Sequence, residues 1–160
     1  MEFYKNRVLV TGGCGFIGSH YIESLSQKYP NCKILNLDIC SYAVLEQTVA
    51  SLNILPNYTL EKIDIGNQNS VNKIIKEFEP GLVVNFAAES HVDNSIENPN
   101  LFLETNILGC SNLMLSFSNL ENDGSRVFHH ISTDEVFGDL EFEDKKLFDE
   151  KSNLNPLTDM

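Results

Sequence analysis

Basic side chains are scarce in this chain. Eleven lysines and arginines stand against 23 aspartates and glutamates, a formal net charge of −12 over 160 residues, and no basic stripe occurs anywhere. Such a balance repels phosphodiester backbones and anionic lipid surfaces, which argues against nucleic acid or a membrane as partner. Long apolar runs are missing too: none approaches the ~20 residues of a membrane-spanning helix. The opening "MEFYKNRVLVTGG" lacks the apolar stretch of a secretory leader. Cys14, Cys32, Cys40 and Cys110 form no C-x-x-C pair and no zinc-type spacing. Free thiols in a reducing, cytoplasmic compartment are therefore the expectation. Neither repeats nor an internal domain boundary can be found. The chain reads as one soluble domain over 1–160, able to bury roughly two thirds of its unfolded surface.

What is present alternates between apolar and amphipathic stretches. Arg7–Val10 is rich in β-branched residues and predicts a first strand. Ile17, Tyr21, Leu25 and Tyr29 then recur at the spacing of one helix face, until Pro30 breaks it. "KILNLD" (33–38) and "LEKIDI" (60–65) predict the next strands, with 41–58 read as a loop holding a helical turn or two. "NQNS" offers N-cap residues to a helix with Val71, Ile74, Ile75 and Phe78 on one face, stopped by Pro80 and Gly81. "LVVNFAA" (82–88) is a continuous apolar run, as in a central parallel strand buried on both faces. A long helix over 99–120 and a fifth strand at "RVFHHIS", left as an apolar edge, complete the pattern. Strand–helix alternation implies right-handed crossovers, and so a doubly wound parallel sheet with helices on both faces.

"GGCGFIG" follows the first strand and opens the first helix. It satisfies Gly13-x-Gly15-x-x-Gly18 and also Gly12-x-x-Gly15-x-x-Gly18. Glycines in this position permit the tight turn, the approach of a pyrophosphate to the backbone and close helix–strand packing. The free N–H groups of the helix start then face the phosphates. Asp38 lies at the end of the second strand, where a carboxylate can bind both ribose hydroxyls of NAD and repel the extra phosphate of NADP. The chain is thus expected to hold NAD on a Rossmann-type fold.

In such a sheet, ligands lie beyond the carboxyl ends of the strands. Two predicted strands end in polar segments, "AAESHVDNSI" and "STDEVFG". Adjacent acids within a strand would point to opposite faces, one of them into the core. Asp134 and Glu135 are therefore expected at a strand end, facing the cleft. His129 and His130 read as structural, His130 as a hydrogen-bonded core residue. His91 takes the same reading, with substrate contact as the alternative, and the acidic run 141–150 reads as a solvated loop.

Together, "TGGCGFIGSH", "FAAESHVDNSI", "ETNILG" and "HHISTDEVFGDL" resemble the NAD-dependent nucleotide-sugar 4,6-dehydratases, extended short-chain dehydrogenase/reductases, and among them most nearly the dTDP-glucose 4,6-dehydratases. The resemblance runs from Arg7 to about Glu150, and "AAESHVD" and "STDEV" are its most specific segments. It implies cofactor contacts at Gly12, Gly15, Phe16, Ile17, Gly18, Asp38, Ile39, Cys40 and Ser41, and near the adenine at Asp64 and Ile65. Further cofactor contacts are implied at Phe86, Ala87, Ala88, Glu89, Ser90 and Thr105. Ser90 and Thr133 are implied to touch a nucleotide sugar such as dTDP-glucose. Asp134 becomes the general acid, protonating the departing C6 hydroxyl, and Glu135 the general base that removes the C5 proton. NAD takes hydride from C4 and returns it to C6.

Enzymes of that superfamily also need a Tyr-x-x-x-Lys pair after the fifth strand. "FDEKSNLNPLTDM" keeps Phe148, Glu150 and Pro156 of the approach to it, but Met160 falls about where the tyrosine is expected. The sheet is therefore expected to be incomplete at its C-terminal side, with a substrate domain absent. Two readings follow: a dehydratase truncated before its Tyr-x-x-x-Lys pair and inactive alone, or a non-catalytic NAD-binding module, regulatory or dimerising through the 99–120 helix.

Overall fold

The computed structural model describes residues 6–41, 44–91, 96–121, 124–140 and 147–156. The chain forms two compact units, Met1–His130 and Ile131–Met160. In the first, β1 (Arg7–Thr11), β2 (Lys33–Leu37), β3 (Tyr58–Glu61), β4 (Leu82–Asn85) and β5 (Val127–His130) make one parallel sheet. Its order is β3-β2-β1-β4-β5. That is the order of a Rossmann-type doubly wound sheet, as the alternation of elements predicts.

The central strands are apolar at successive positions because both faces are covered. Val8, Leu9 and Val10 of β1 and Leu82, Val83 and Val84 of β4 are all buried. Side chains alternate across the sheet, so Leu9, Leu35, Leu37 and Val83 share one core cluster with Ile65, Val71, Ile75, Leu113 and Phe117. Helix α1 (Phe16–Lys28) buries Ile22 and Leu25. Helix α2 (Glu46–Asn53) supplies the helical turns expected within 41–58. Helix α3 (Gln68–Phe78) starts where the sequence predicts: the Asn67 side chain accepts from the Ser70 N–H at 3.0 Å. It ends at Glu79, which turns left-handed (φ 47°) just before Pro80.

Three strands stop earlier than the apolar runs suggest, for one reason. β1 leaves the sheet after Thr11, which is in register with Leu37 on one side and Asn85 on the other. Leu37 in turn faces Glu61, and Asn85 faces His130. Beyond that level a strand has no ladder to join, so "LEKIDI" pairs only as far as Glu61, "LVVNFAA" to Asn85 and "RVFHHIS" to His130. The fifth strand is the sheet's edge, as expected, and only Phe128 is partly covered, its ring 6.0 Å from that of Phe117. His130 is accordingly exposed rather than in the core, although Asn85 Nδ2 lies 3.1 Å from its Nδ1.

The helix expected over 99–120 changes its winding. α4 (Pro99–Phe102) passes into a π-helix (Leu103–Gly109) and then α5 (Cys110–Ser118). At Gly109 the backbone comes so close to the core that an added Cβ would stand 2.6 Å from Ile65 Cγ1. Wider π turns of this kind often lie at functional sites.

In the second unit, Asp134–Phe137 forms one 3-10 turn, capped by Thr133, whose hydroxyl accepts the Glu135 N–H at 3.3 Å. Phe137 stacks on Phe148 at 5.1 Å, and the Asn155 N–H reaches the Val136 carbonyl at 2.9 Å.

Candidate functional site

Between β1 and β4 the strand order reverses, and in such sheets ligands bind beyond the carboxyl ends at that point. The two ends are tied together there. Thr11 and Asn85 are hydrogen-bonded through their side chains, and the Phe86 N–H donates to the Thr11 carbonyl at 3.0 Å. Gly12 follows with φ +65°, a conformation that disfavours any Cβ, and a Cβ there would meet Ala87 N at 2.6 Å. A Cβ on Gly18 would strike Gly12 O at 2.5 Å, so the start of α1 sits directly on the turn.

Gly15 is the N-cap of α1, with ordinary extended φ and ψ. No side chain caps the helix, and its first turn carries no acid. The first helical N–H groups, those of Phe16, Ile17 and Gly18, lie before the first intrahelical bond, from Ser19 N to Gly15 O. Phe16 and Ile17 also hold their side chains in solvent. The result is a positively polarised helix end with no side-chain cap and no acid in its first turn.

Asp38 stands beside this loop, 8% exposed. The Cys14 N–H donates to its Oδ2 at 2.9 Å and the Cys40 N–H to its Oδ1 at 2.7 Å. An ionised carboxylate has about four acceptor positions, so lone pairs remain for two hydroxyls. Buried Asn36 steadies the loop from below: its Oδ1 accepts the Gly13 N–H at 3.0 Å and its Nδ2 donates to the Tyr58 hydroxyl at 2.9 Å. Burial, and next the Asp38 charge, push the Cys14 thiol up to about 12. Burial likewise raises the Tyr58 phenol. The residues present fit a dinucleotide: free N–H groups for a pyrophosphate, and a carboxylate for ribose hydroxyls.

The other sequence-predicted residues of this unit follow β2, β3 and β4 or lie in the π-helix. Ile39 is exposed, and Cys40 and Ser41 are half-buried beside Asp38. Asp64 is exposed and accepts the Gly66 N–H at 2.7 Å, whereas Ile65 turns its side chain into the core. After β4, Phe86 packs on Tyr21 at 5.3 Å, and Ala87, Ala88, Glu89 and Ser90 run along the rim. Thr105 lies in the π-helix next to Asn106, a residue the sequence analysis passed over. Asn106 clips the rim segment in both directions, accepting the Glu89 N–H at 2.8 Å and donating to the Glu89 carbonyl at 2.9 Å. A poor helix former within a predicted helix was its available signal. Asn36, interrupting "KILNLD", gave the same kind of signal. His91 is exposed, and residues 92–95 of its segment lie outside those described.

Thr133, Asp134 and Glu135 belong to the second unit and are all exposed. They lie past the end of β5, so the adjacent acids are not forced onto opposite faces of a strand. Residues 141–146 and Met160 lie outside the described residues.

Residues 9–158 match the family described as GDP-mannose 4,6 dehydratase. The chain belongs to that family. A dTDP-glucose 4,6-dehydratase of Mycobacterium tuberculosis is 39% identical over 150 residues, covering 94% of this chain and 43% of the relative. Among solved structures, dTDP-glucose 4,6-dehydratase of Bacillus anthracis in complex with NAD superposes with a TM-score of 0.78 at 34% identity, over 96% of this chain and 45% of that one. UDP-glucose 4-epimerase of Thermus thermophilus, also with NAD, is less alike in sequence, 28% identical with a TM-score of 0.75 over 94% of this chain and 44% of that one. The chain thus spans less than half the length of these proteins.

Proposed function

We propose that this chain is the dinucleotide-binding part of an NAD-dependent 4,6-dehydratase acting on dTDP-glucose or a closely similar nucleotide sugar. The observation that carries the reading is the pairing of an uncapped, acid-free helix start with the Asp38 carboxylate. The N–H groups of Phe16 and Ile17 hold the pyrophosphate, and Asp38 accepts the adenosine ribose hydroxyls. Asp64 borders the adenine, while Ala87 to Ser90 and Thr105 border the nicotinamide half. Ser90 borders the sugar, and Thr133 caps the turn that carries Asp134 and Glu135. Bound NAD supplies the reversible hydride exchange that lets the sugar pass through a C4 ketone.

That ketone acidifies the C5 proton, which Glu135 removes. Asp134 donates a proton to the C6 hydroxyl as it departs as water. Each role is worth roughly 10²–10⁴-fold in rate. A 3-10 turn keeps the two carboxyls consecutive and solvent-accessible, which supports their working as a pair.

Partners and place follow from the surface. Leu103, Ile107, Leu108, Met114 and Leu115 are all exposed on the α4–α5 segment, which supports self-association there as a homodimer. No helix among the described residues is long and apolar enough to cross a membrane. All four cysteines are free, in keeping with a cytoplasmic setting.

The test is a chimera in which residues 1–160 replace the matching segment of the Mycobacterium tuberculosis relative. Incubated with NAD and dTDP-glucose in deuterium oxide, it should form a 4-keto-6-deoxy sugar carrying deuterium at C5. Glu135→Gln should suppress the C5 exchange, and Asp134→Asn should slow loss of the C6 hydroxyl. A chimera that binds NAD but releases only the C4 epimer would refute the dehydratase reading.

A further inference from the structure

β1 and β2 lie side by side with Thr11 opposite Leu37. Cys14 and Cys40 each come three residues after those positions, so the topology delivers two thiols, 26 residues apart in sequence, to one place. Asp38 sits between them. The two Sγ atoms and a carboxylate oxygen all lie within 4.8 Å of one another. We propose that Cys14, Asp38 and Cys40 form a site for a thiophilic divalent cation of the zinc class, and that the cation excludes the dinucleotide ribose from Asp38. The exclusion rests on the assignment of Asp38 to the ribose; the cation site does not.

Two outcomes are open to a pair of thiols this close, and geometry separates them. Tetrahedral zinc with bonds of ~2.3 Å to sulfur and ~2.0 Å to oxygen needs S···S near ~3.8 Å and S···O near ~3.5 Å. From a separation of at most 4.8 Å, that asks for about 1 Å of movement or slightly more. A disulfide needs ~2.05 Å between the sulfurs, hence a contraction of up to nearly 3 Å. The cation is the smaller demand.

The surroundings are built for it. Cys40 is held at φ +52°, left-handed for a non-glycine residue, by its own N–H bond to Asp38 Oδ1. Asn36 Nδ2 donates to Cys14 Sγ at 3.4 Å, the kind of outer contact that orients a ligand. Cys14 is buried while Cys40 is half-exposed, which gives a cation an entry path. Two soft sulfurs favour zinc, or cobalt as its probe, over magnesium or calcium. The fourth position falls to water.

The experiment uses the whole chain, reduced with a phosphine and stripped of metal. Cobalt titration should raise the thiolate-to-cobalt charge-transfer band, and equilibrium dialysis should show one zinc per chain. Cys40→Ser and, separately, Cys14→Ala should each weaken zinc by about 100-fold or more, beyond the effect of losing an outer contact. The Cys32→Ser/Cys110→Ser double variant should keep the band. NAD titrated against the zinc-loaded chain should show its apparent affinity falling with zinc occupancy. Absence of the thiolate band, its survival in both single variants, or zinc and NAD binding with no mutual effect would overturn the proposal. A chain that shows the band and binds zinc but never NAD would uphold the cation site and refute the dinucleotide assignment instead.

Discussion

Replacing Gly15 by alanine should separate binding from folding. Gly15 has φ −71° and ψ 172°, open to any residue. A Cβ there would meet Gly12 O at 3.3 Å and no other described atom within 4 Å. Folding should lose at most about 1 kcal/mol, the scale of a helix-cap change. The methyl would nevertheless stand at the helix end where a phosphate must reach the N–H groups. Inserting a methyl where none fits costs ~1–3 kcal/mol. At roughly tenfold per 1.4 kcal/mol, NAD affinity should fall about 5- to 150-fold. Gly12→Ala is the opposite case. Its φ is +65° and its Cβ would lie 2.6 Å from Ala87 N. A left-handed cost of ~1–2 kcal/mol adds to an overpacking cost of ~1–3, so stability should fall by about 2–5 kcal/mol. Urea unfolding paired with NAD calorimetry reads both variants. The reasoning is refuted if Gly15→Ala unfolds as easily as Gly12→Ala, or if it binds NAD like the parent.

Asn106→Ala removes two hydrogen bonds to Glu89 but gains helix propensity; the net should be a loss of ~1–2 kcal/mol in urea unfolding. Proteolysis near Ala88–Ser90 should speed up with it. Raising pH from 9.0 toward about 12 should destabilise the fold, because buried Cys14 keeps its proton natively while the unfolded chain loses it. The slope should reach up to ~1.4 kcal/mol per pH unit, with full stability retained below pH 9; Cys14→Ala should flatten this decline. Leu108→Lys together with Leu115→Lys should shift the sedimentation of any dimer toward monomer, and an unchanged dimer would place its interface elsewhere.

The strands could be read from the sequence because β1, β2 and β4 are covered on both faces, and only continuous apolar runs such as "RVLV" and "LVVN" suit that position. Their ends could not. Phe86, Ala87 and Ala88 are as apolar as the strand before them, and what stops β4 is the departure of β1 after Thr11, a fact of neighbours and not of propensity. His130 misled for a related reason: its place in a strand suggests a core residue, but at an edge it meets water. The π turns of Leu103–Gly109 left one trace, Gly109, whose meaning depends on Ile65 packing against it. The glycine loop and Asp38 were legible because their spacing is local. The Cys14–Asp38–Cys40 group was not, since it exists only once β1 and β2 are adjacent.

Titration of the chain with NAD and with NADP tests the central claim most directly. If the Asp38 carboxylate holds the adenosine ribose beside the bare start of α1, NAD should bind and NADP should bind ~100-fold or more weakly, since like-charge juxtaposition costs several kcal/mol. Asp38→Asn, which keeps an oxygen for backbone N–H groups but drops the charge, should narrow that gap by weakening NAD and sparing NADP its repulsion. Equal affinities in the parent chain, or a preference untouched by Asp38→Asn, would contradict the account.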